Sequence, residues 1–218
     1  MKIIKFAIAL VLIITVVFTI IVYPDLPDEV PSHWNAAGEV DGYFPKIWGA
    51  ILLPLMMIGM TALFYILPRF DPLHMNYEGF KNYYEGFILA IVIFFFALQT
   101  QVLLWALGIQ ISTNLIFPII FGFLFIYIGF LVENAEQNWF VGIRTPWTLT
   151  SENVWKKTHR RGGLLFKLAG LASMAAVFLG VYAIWFVIAI IAAVTAYTII
   201  YSYLEFQKER KETQSGPS

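Results

Sequence analysis

Residues 164–204 read LLFKLAGLASMAAVFLGVYAIWFVIAIIAAVTAYTIIYSYL, 41 consecutive positions carrying a single charge, Lys167. As one α-helix at 1.5 Å per residue this stretch would reach ~60 Å, about twice the hydrocarbon thickness of a bilayer. It therefore has to double back, and the expected bend lies at residues 180–185, beginning with Gly180. Outward from this block, four more apolar runs of spanning length occur at residues 6–22, 47–67, 87–107 and 115–132. The first also looks like a secretory signal, but Tyr23-Pro24-Asp25 follows it in place of a small-x-small cleavage site, so it is read as an uncleaved anchor. The expected fold class is an all-α integral membrane protein with six transmembrane helices.

The composition agrees. Of 218 residues, 60% are hydrophobic and 13% charged, with a mean hydropathy of +0.75. A water-soluble domain carries roughly 25% charged residues. The 14 basic and 14 acidic side chains cancel, which removes the electrostatic footprint of a nucleic-acid binder, and no direct nucleic-acid partner is expected. The absence of cysteine excludes disulfides, thiolate metal sites and cysteine nucleophiles.

Six spans put both termini on one side, and the charges then sort. Lys2, Lys5, Arg69, Lys81, Arg144, Lys156, Lys157, Arg160, Arg161, Lys167, Lys208, Arg210 and Lys211 fall on that side; only Lys46 lies opposite. Basic loops stay in the cytoplasm, so cytoplasmic termini and an external loop at residues 23–46 are expected. The anticipated organisation is a two-helix unit at 1–67, a four-helix unit at 68–212 with an internal loop at 133–163, and a disordered tail at 213–218.

No ionisable group falls near a span centre, which argues against proton-coupled pumping. Gln99 and Gln101 are the deepest strongly polar residues, with Ser173 and Thr195 weaker; they are read as interhelical hydrogen-bonding groups, the rival being a polar transport path. Gly108, Gly122, Gly129, Gly170 and Gly180 are read as sites of close helix approach. No HExxH, paired intramembrane aspartate or intramembrane histidine is available for proteolysis.

In the external loop, Pro24, Pro27 and Pro31 hold the chain extended. Asn35-Ala36-Ala37-Gly38 has the preferences of a type I turn, and Asp41-Gly42 reads as a second turn. A small turn-rich cap follows, with Trp34, Tyr43, Phe44 and Trp48 as headgroup-level anchors. His33 shares the loop with five acids; either it contacts a ligand or metal, or it pins the turn through Asn35 or Asp41.

In the internal loop, Gly142 and Pro146 punctuate the chain, and the five-donor fork of Arg144 makes it the expected structural keystone. Thr150 is the expected N-cap of a short helix over residues 151–161, with Glu152 in its first turn. At ~100° per residue, Lys156, Lys157, Arg160 and Arg161 share one half of that helix, while Val154, Trp155, Thr158 and His159 share the other. This predicts an interfacial helix with Trp155 and His159 against the bundle and its cations facing anionic lipid or a cytosolic partner.

At these two loops the chain resembles the SdpI family of multi-pass membrane proteins. The internal stretch Gly142-Ile-Arg-Thr-Pro-Trp-Thr-Leu and Trp155-Lys-Lys-Thr-His159-Arg-Arg-Gly162-Gly163 resembles the family signature nearly throughout. The external stretch from Leu26 through His33-Trp-Asn35, Gly38-Glu-Val-Asp41-Gly and Lys46 is similar to the small domain that often precedes it. The resemblance implies immunity against a secreted, membrane-active peptide toxin, with recruitment of a cytosolic repressor in the prototype. A peptide toxin or lipid would then meet the external face, with His33, Asn35, Gly38 and Asp41 as ligand-contact candidates. Asn138, Gly142, Arg144, Thr145, Pro146, Trp155 and His159 are the candidates for a structural or partner-docking role. No catalytic residue, metal ligand or cofactor is assigned, and a small transporter or exporter is the alternative function.

Overall fold

A computed structural model describes residues 2–214. Six long helices occur, α1 (Lys2–Val22), α2 (Lys46–Ile66), α3 (Tyr77–Ala106), α4 (Thr113–Asn134), α6 (Glu152–Ala175) and α7 (Ala183–Gln214), with a five-residue α5 (Pro146–Thr150) before α6. Between α1 and α2 an antiparallel hairpin, β1 (Glu29–Trp34) and β2 (Val40–Pro45), caps one end. Among the described residues five runs are long and apolar enough to cross a membrane, and the fifth, Glu152–Gln214, contains both α6 and α7. The helices are lined outside with exposed side chains such as Phe6, Ile20, Leu55, Phe123, Leu171 and Ile200. Water does not tolerate a continuous apolar belt of this kind, whereas helices satisfy their backbone groups internally and can present it to lipid. The chain is a multi-pass membrane protein.

The long apolar block doubles back as expected, through a 3-10 segment at Ala176–Tyr182 in which Gly180 takes φ 56°. Nothing lies within 4 Å of a Cβ added at Gly180 or at Gly108, so these two glycines serve turns and not close packing. Gly108, at φ 85°, ends α3 in a Schellman motif: its N–H donates to the Trp105 carbonyl and that of Ile109 to the Leu104 carbonyl. Gly122, Gly129 and Gly170 behave as anticipated. The antiparallel helices α4 and α6 meet at two levels, Gly122 against Gly170 and Gly129 against Gly163, where an added Cβ would come within 2.5–2.7 Å of the opposing carbonyl oxygen.

Helix α3 begins ten residues before the expected span. Tyr77, Phe80 and Tyr84 are buried there and pack ring to ring, which secures a stretch too polar for hydropathy to count. The interfacial helix expected over 151–161 is the first part of a continuous α6, and its N-cap is Ser151, whose Oγ accepts from the Val154 N–H; Thr150 instead closes α5. Thr213 and Gln214, expected in a disordered tail, are the last residues of α7, and residues 215–218 lie outside the described residues.

Candidate functional site

The β1–β2 cap is held by its own polar side chains. The Asn35 carbonyl accepts from the Gly38 N–H, and Asn35 Oδ1 accepts from the N–H groups of Ala37 and Glu39 at 2.9 and 3.0 Å. Gly38 supplies the positive φ of 88° that closes the hairpin. Asp41-Gly42 is not a second turn. It lies inside β2, where the pairing skips Ser32 on one strand and Asp41 on the other, a pair of compensating irregularities. His33 Nδ1 donates to Asp41 Oδ1 at 2.5 Å across this irregularity, the turn-pinning role. Among the described residues no group of three or more metal-ligating side chains forms.

The hairpin tip is docked on the start of α4, where Asn114 Nδ2 donates to the Ala37 carbonyl at 3.0 Å and Thr113 Oγ1 to the Gly38 carbonyl at 3.4 Å. Val30, fully buried, sits on Gly49 of α2, where an added Cβ would come within 2.5 Å. Trp34 is not a headgroup anchor: it packs edge-on against Trp105 and Phe117, and its Nε1 is buried with no hydrogen-bond partner. Beneath the hairpin lies a cavity of about 550 Å³ with His33, Trp34 and Asn35 at its polar rim and walls that include Leu98, Phe117 and Trp185. Its walls come from α2 and α3 on one side and from α4 and α7 on the other. Of the four expected ligand contacts, His33 and Asn35 line it, whereas Gly38 and Asp41 shape the hairpin. The apolar walls were not singled out because in a membrane helix they are indistinguishable from lipid-facing residues. Gln101 reaches the same cavity but donates to the Ile111 carbonyl, and Gln99 ties α3 to Thr19 of α1 and to the Ala50 carbonyl of α2.

At the other end, residues 135–151 fold into a knot centred on Asn138, which is completely buried. Its Nδ2 donates to the carbonyls of Glu136 and Val141, while Oδ1 accepts from the N–H groups of Phe140 and Val141 and from the Tyr77 hydroxyl. Asp71, also buried, accepts from the N–H groups of Leu73 and Trp139 and so joins the loop before α3 to this knot. Trp155 Nε1 donates to the Ala135 carbonyl at 2.7 Å, and the indole stacks on His159 with ring centroids 3.8 Å apart. The Ile143 N–H donates to His159 Nε2, so that nitrogen carries no proton; the imidazole is neutral and its Nδ1–H donates to the Trp155 carbonyl. Gly142, at φ 114°, lies directly over His159, and a Cβ there would collide with Nε2. Pro146 starts α5 behind a reciprocal cap between Thr145 and Thr148, and Thr145 Oγ1 reaches Ser202 of α7 at 3.1 Å.

Six of the seven expected internal residues therefore form one buried assembly or cap it. Arg144 is the exception: it is exposed and makes one hydrogen bond, Nη1 to the Trp139 carbonyl at 2.7 Å. The keystone is Asn138, because a short amide inside the turn satisfies both backbone donors and backbone acceptors, whereas guanidinium only donates. Asp71 and Tyr77 were missed; the signal available was a lone acid and a tyrosine just outside an apolar run. The basic face is partly neutralised, with Lys156 on Glu152, Lys157 on Glu205 and Arg161 Nε donating to the Tyr197 hydroxyl. Arg160 has no partner among the described residues and lines a polar cleft of about 700 Å³ with Glu133, Glu136 and Lys156.

Residues 134–202, which contain the whole knot, match the profile of the SdpI/YfhL protein family. Residues 10–58 match a domain of unknown function, DUF1648, so the hairpin and the knot belong to two separately matched segments. Over 193 residues, 87% of this chain and 89% of its relative, the chain is 28% identical to the immunity protein SdpI of Bacillus subtilis strain 168. No solved structure matches it. Within the matched segment, α6 and the first part of α7 form the hairpin of the long apolar block, and the knot is sealed beneath the start of α6 by Trp155 and His159.

Proposed function

We propose that this protein is a six-span membrane immunity protein, with both termini cytoplasmic, that binds a secreted membrane-active peptide toxin on its outer face. The observation carrying this reading is the cavity under the hairpin. Its walls are apolar, its rim is polar, and it lies at the seam between α2–α3 and α4–α7, open to a ligand that arrives partly dissolved in the bilayer. The similarity to an immunity protein along nearly the whole chain supports the same reading. His33 and Asn35 would meet the ligand at the rim. The knot of Asn138, Gly142, Thr145, Pro146, Trp155 and His159 holds the opposite end rigid, and the exposed cleft around Arg160 is the assigned surface for a cytosolic repressor. The two histidines of these sites are taken up by structural hydrogen bonds, which supports a binding role over a catalytic one. The amide nitrogens of Gln99 and Gln101 are likewise engaged within the fold, which counts against a transport path.

Expression in a host sensitive to a panel of peptide toxins tests this. Trp185 is well exposed while lining the cavity, so Trp185→Ala leaves folding intact. Loss of an aromatic anchor worth about 2 kcal/mol lowers the tolerated toxin concentration about 30-fold. Protection that is absent with the wild-type chain against every toxin, or unchanged in an inserted Trp185→Ala variant, overturns the reading. Orientation is tested by reporters fused after Trp34 and after Trp155: alkaline phosphatase is expected active only at the first and a fluorescent protein only at the second. Activity of one reporter at both positions overturns the proposed topology.

A further inference from the structure

We propose that a cleft at the basic end of α1, α2 and α3 holds the headgroup of an ethanolamine phospholipid, its phosphate on Arg69 and its ammonium on Glu85. This inference is independent of the immunity reading. The cleft measures about 370 Å³ and includes Lys5, Tyr65, Arg69, Lys81 and Glu85 in its lining, a size within the range of small-ligand sites.

The charges decide the occupant. Lys81 is paired with Glu78 at 2.7 Å, and Lys5 lies 3.4 Å from Glu85. Arg69, exposed on the turn after α2, has no partner among the described residues, and its planar fork suits a phosphate. Glu85 is the converse. Its side chain is 4% exposed, its Oε2 has no hydrogen-bond partner, and Lys5 approaches Oε1 more loosely than the about 2.7–2.9 Å of a tight charged hydrogen bond. An exposed cation with no ion-pair partner and a buried carboxylate short of donors, both on residues that line the same cleft, match the two ends of a zwitterion. The His74 ring, also in the lining, is the remaining titratable neighbour besides the tyrosines.

The zwitterion must also donate N–H bonds, because a buried carboxylate oxygen without a donor is costly. A primary ammonium has three such donors and a choline group has none. The surroundings belong to a lipid: Phe70 and Met75, on the turns flanking the cleft, are each 71% exposed, and apolar residues so placed at a helix end sit at the membrane interface. Basic clefts between spans hold the headgroups of anionic phospholipids, and the carboxylate of Glu85 is what turns this one toward a zwitterion.

Native mass spectrometry of the full chain in detergent, with equimolar dioleoyl phosphatidylethanolamine, phosphatidylcholine and phosphatidylglycerol, reads the preference. The ethanolamine lipid is expected to be retained about tenfold over the choline lipid, the worth of one charge-assisted hydrogen bond. The mono- and dimethylated ethanolamine lipids should fall stepwise between them, a series that needs no variant. R69Q, at an exposed position, should lower retention of all three lipids, and E85Q should bring the ethanolamine lipid down to the choline level. Equal retention of the ethanolamine and choline lipids, stronger retention of phosphatidylglycerol, or unchanged binding by folded R69Q overturns the proposal. Displacement of the lipid by equimolar soluble phosphoethanolamine overturns the assignment to a lipid.

Discussion

Replacing Gly163 or Gly170 by leucine will abolish the folded bundle, and replacing either by alanine will weaken it by about 1–3 kcal/mol. The reason is geometric. At Gly170 an added Cβ would stand 2.5 Å from the Gly122 carbonyl oxygen and 2.7 Å from Ile126 Cγ1; at Gly163 it would stand 2.7 Å from the Gly129 carbonyl oxygen. Backbone cannot step aside as a flexible side chain does, so α4 and α6 must separate and lose packing along their whole contact. In lipid that packing matters more than usual, because apolar surface gains nothing by leaving one hydrocarbon environment for another. The Lys167–Glu133 ion pair, 2.6 Å across the same seam, is stretched at the same time. Gly59 is the internal control: nothing lies within 4 Å of a Cβ there, and Gly59→Ala in the middle of α2 should leave stability unchanged or raise it by up to ~1 kcal/mol. Unfolding by denaturing detergent, followed by circular dichroism, measures all three. Alanine variants at 163 and 170 that match wild type would refute the close seam.

The second large effect is expected at Asn138. Asn138→Leu leaves the N–H groups of Phe140 and Val141 and the carbonyls of Glu136 and Val141 without the partners they have now, the two Val141 groups buried and the other two partly so. An unmade buried hydrogen bond costs roughly 1–3 kcal/mol, and the loop will relieve part of that by opening, for a net loss of about 3–5 kcal/mol. Asn138→Asp separates polarity from donor geometry. It preserves an acceptor toward the two N–H groups but turns an oxygen toward two carbonyls that Nδ2 now reaches at 2.8 and 3.0 Å, so it should be nearly as damaging as leucine. Arg144→Ala, by contrast, removes one exposed contact to the Trp139 carbonyl and should cost about 1 kcal/mol or less. Amide hydrogen exchange over residues 138–145 distinguishes the cases: protection is expected to vanish in both Asn138 variants and persist in the Arg144 variant. A fully protected Asp variant would contradict the assigned pattern of donors and acceptors.

Those two sites show where sequence reading succeeds in this protein and where it stops. Gly122, Gly129 and Gly170 were legible as candidates for close approach, yet Gly163 and the pairing of the four were not. Gly108 and Gly180 have the same composition signal and serve turns instead, Gly108 ending α3 and Gly180 bending the chain between α6 and α7, because φ depends on where the chain must go next. The Asp41-Gly42 pair carried a turn signal that the strand opposite converts into an irregularity beside His33. Asn35-Ala36-Ala37-Gly38 read correctly because its turn is closed by bonds among its own four residues and the next one. The loop cations were placed on the outer half of α6, but three of them meet acceptors on α6 or α7 that spacing along one helix could not reveal in full.

What the amino-acid order determined alone is whatever depends on neighbours within a turn or on solvent: the apolar runs, the doubling back of residues 164–204, the faces of α6 and the tight turn of the cap. Each follows from the thickness of the bilayer or the reach of a few bonds. Only the tertiary structure decided that Asp71, Tyr77 and Asn138 form one core, that Thr145 touches Ser202, and that apolar residues of four helices enclose a cavity under Trp34. These contacts join positions tens of residues apart, and a side chain's partners across such distances are set by how the helices pack, which local pattern does not encode.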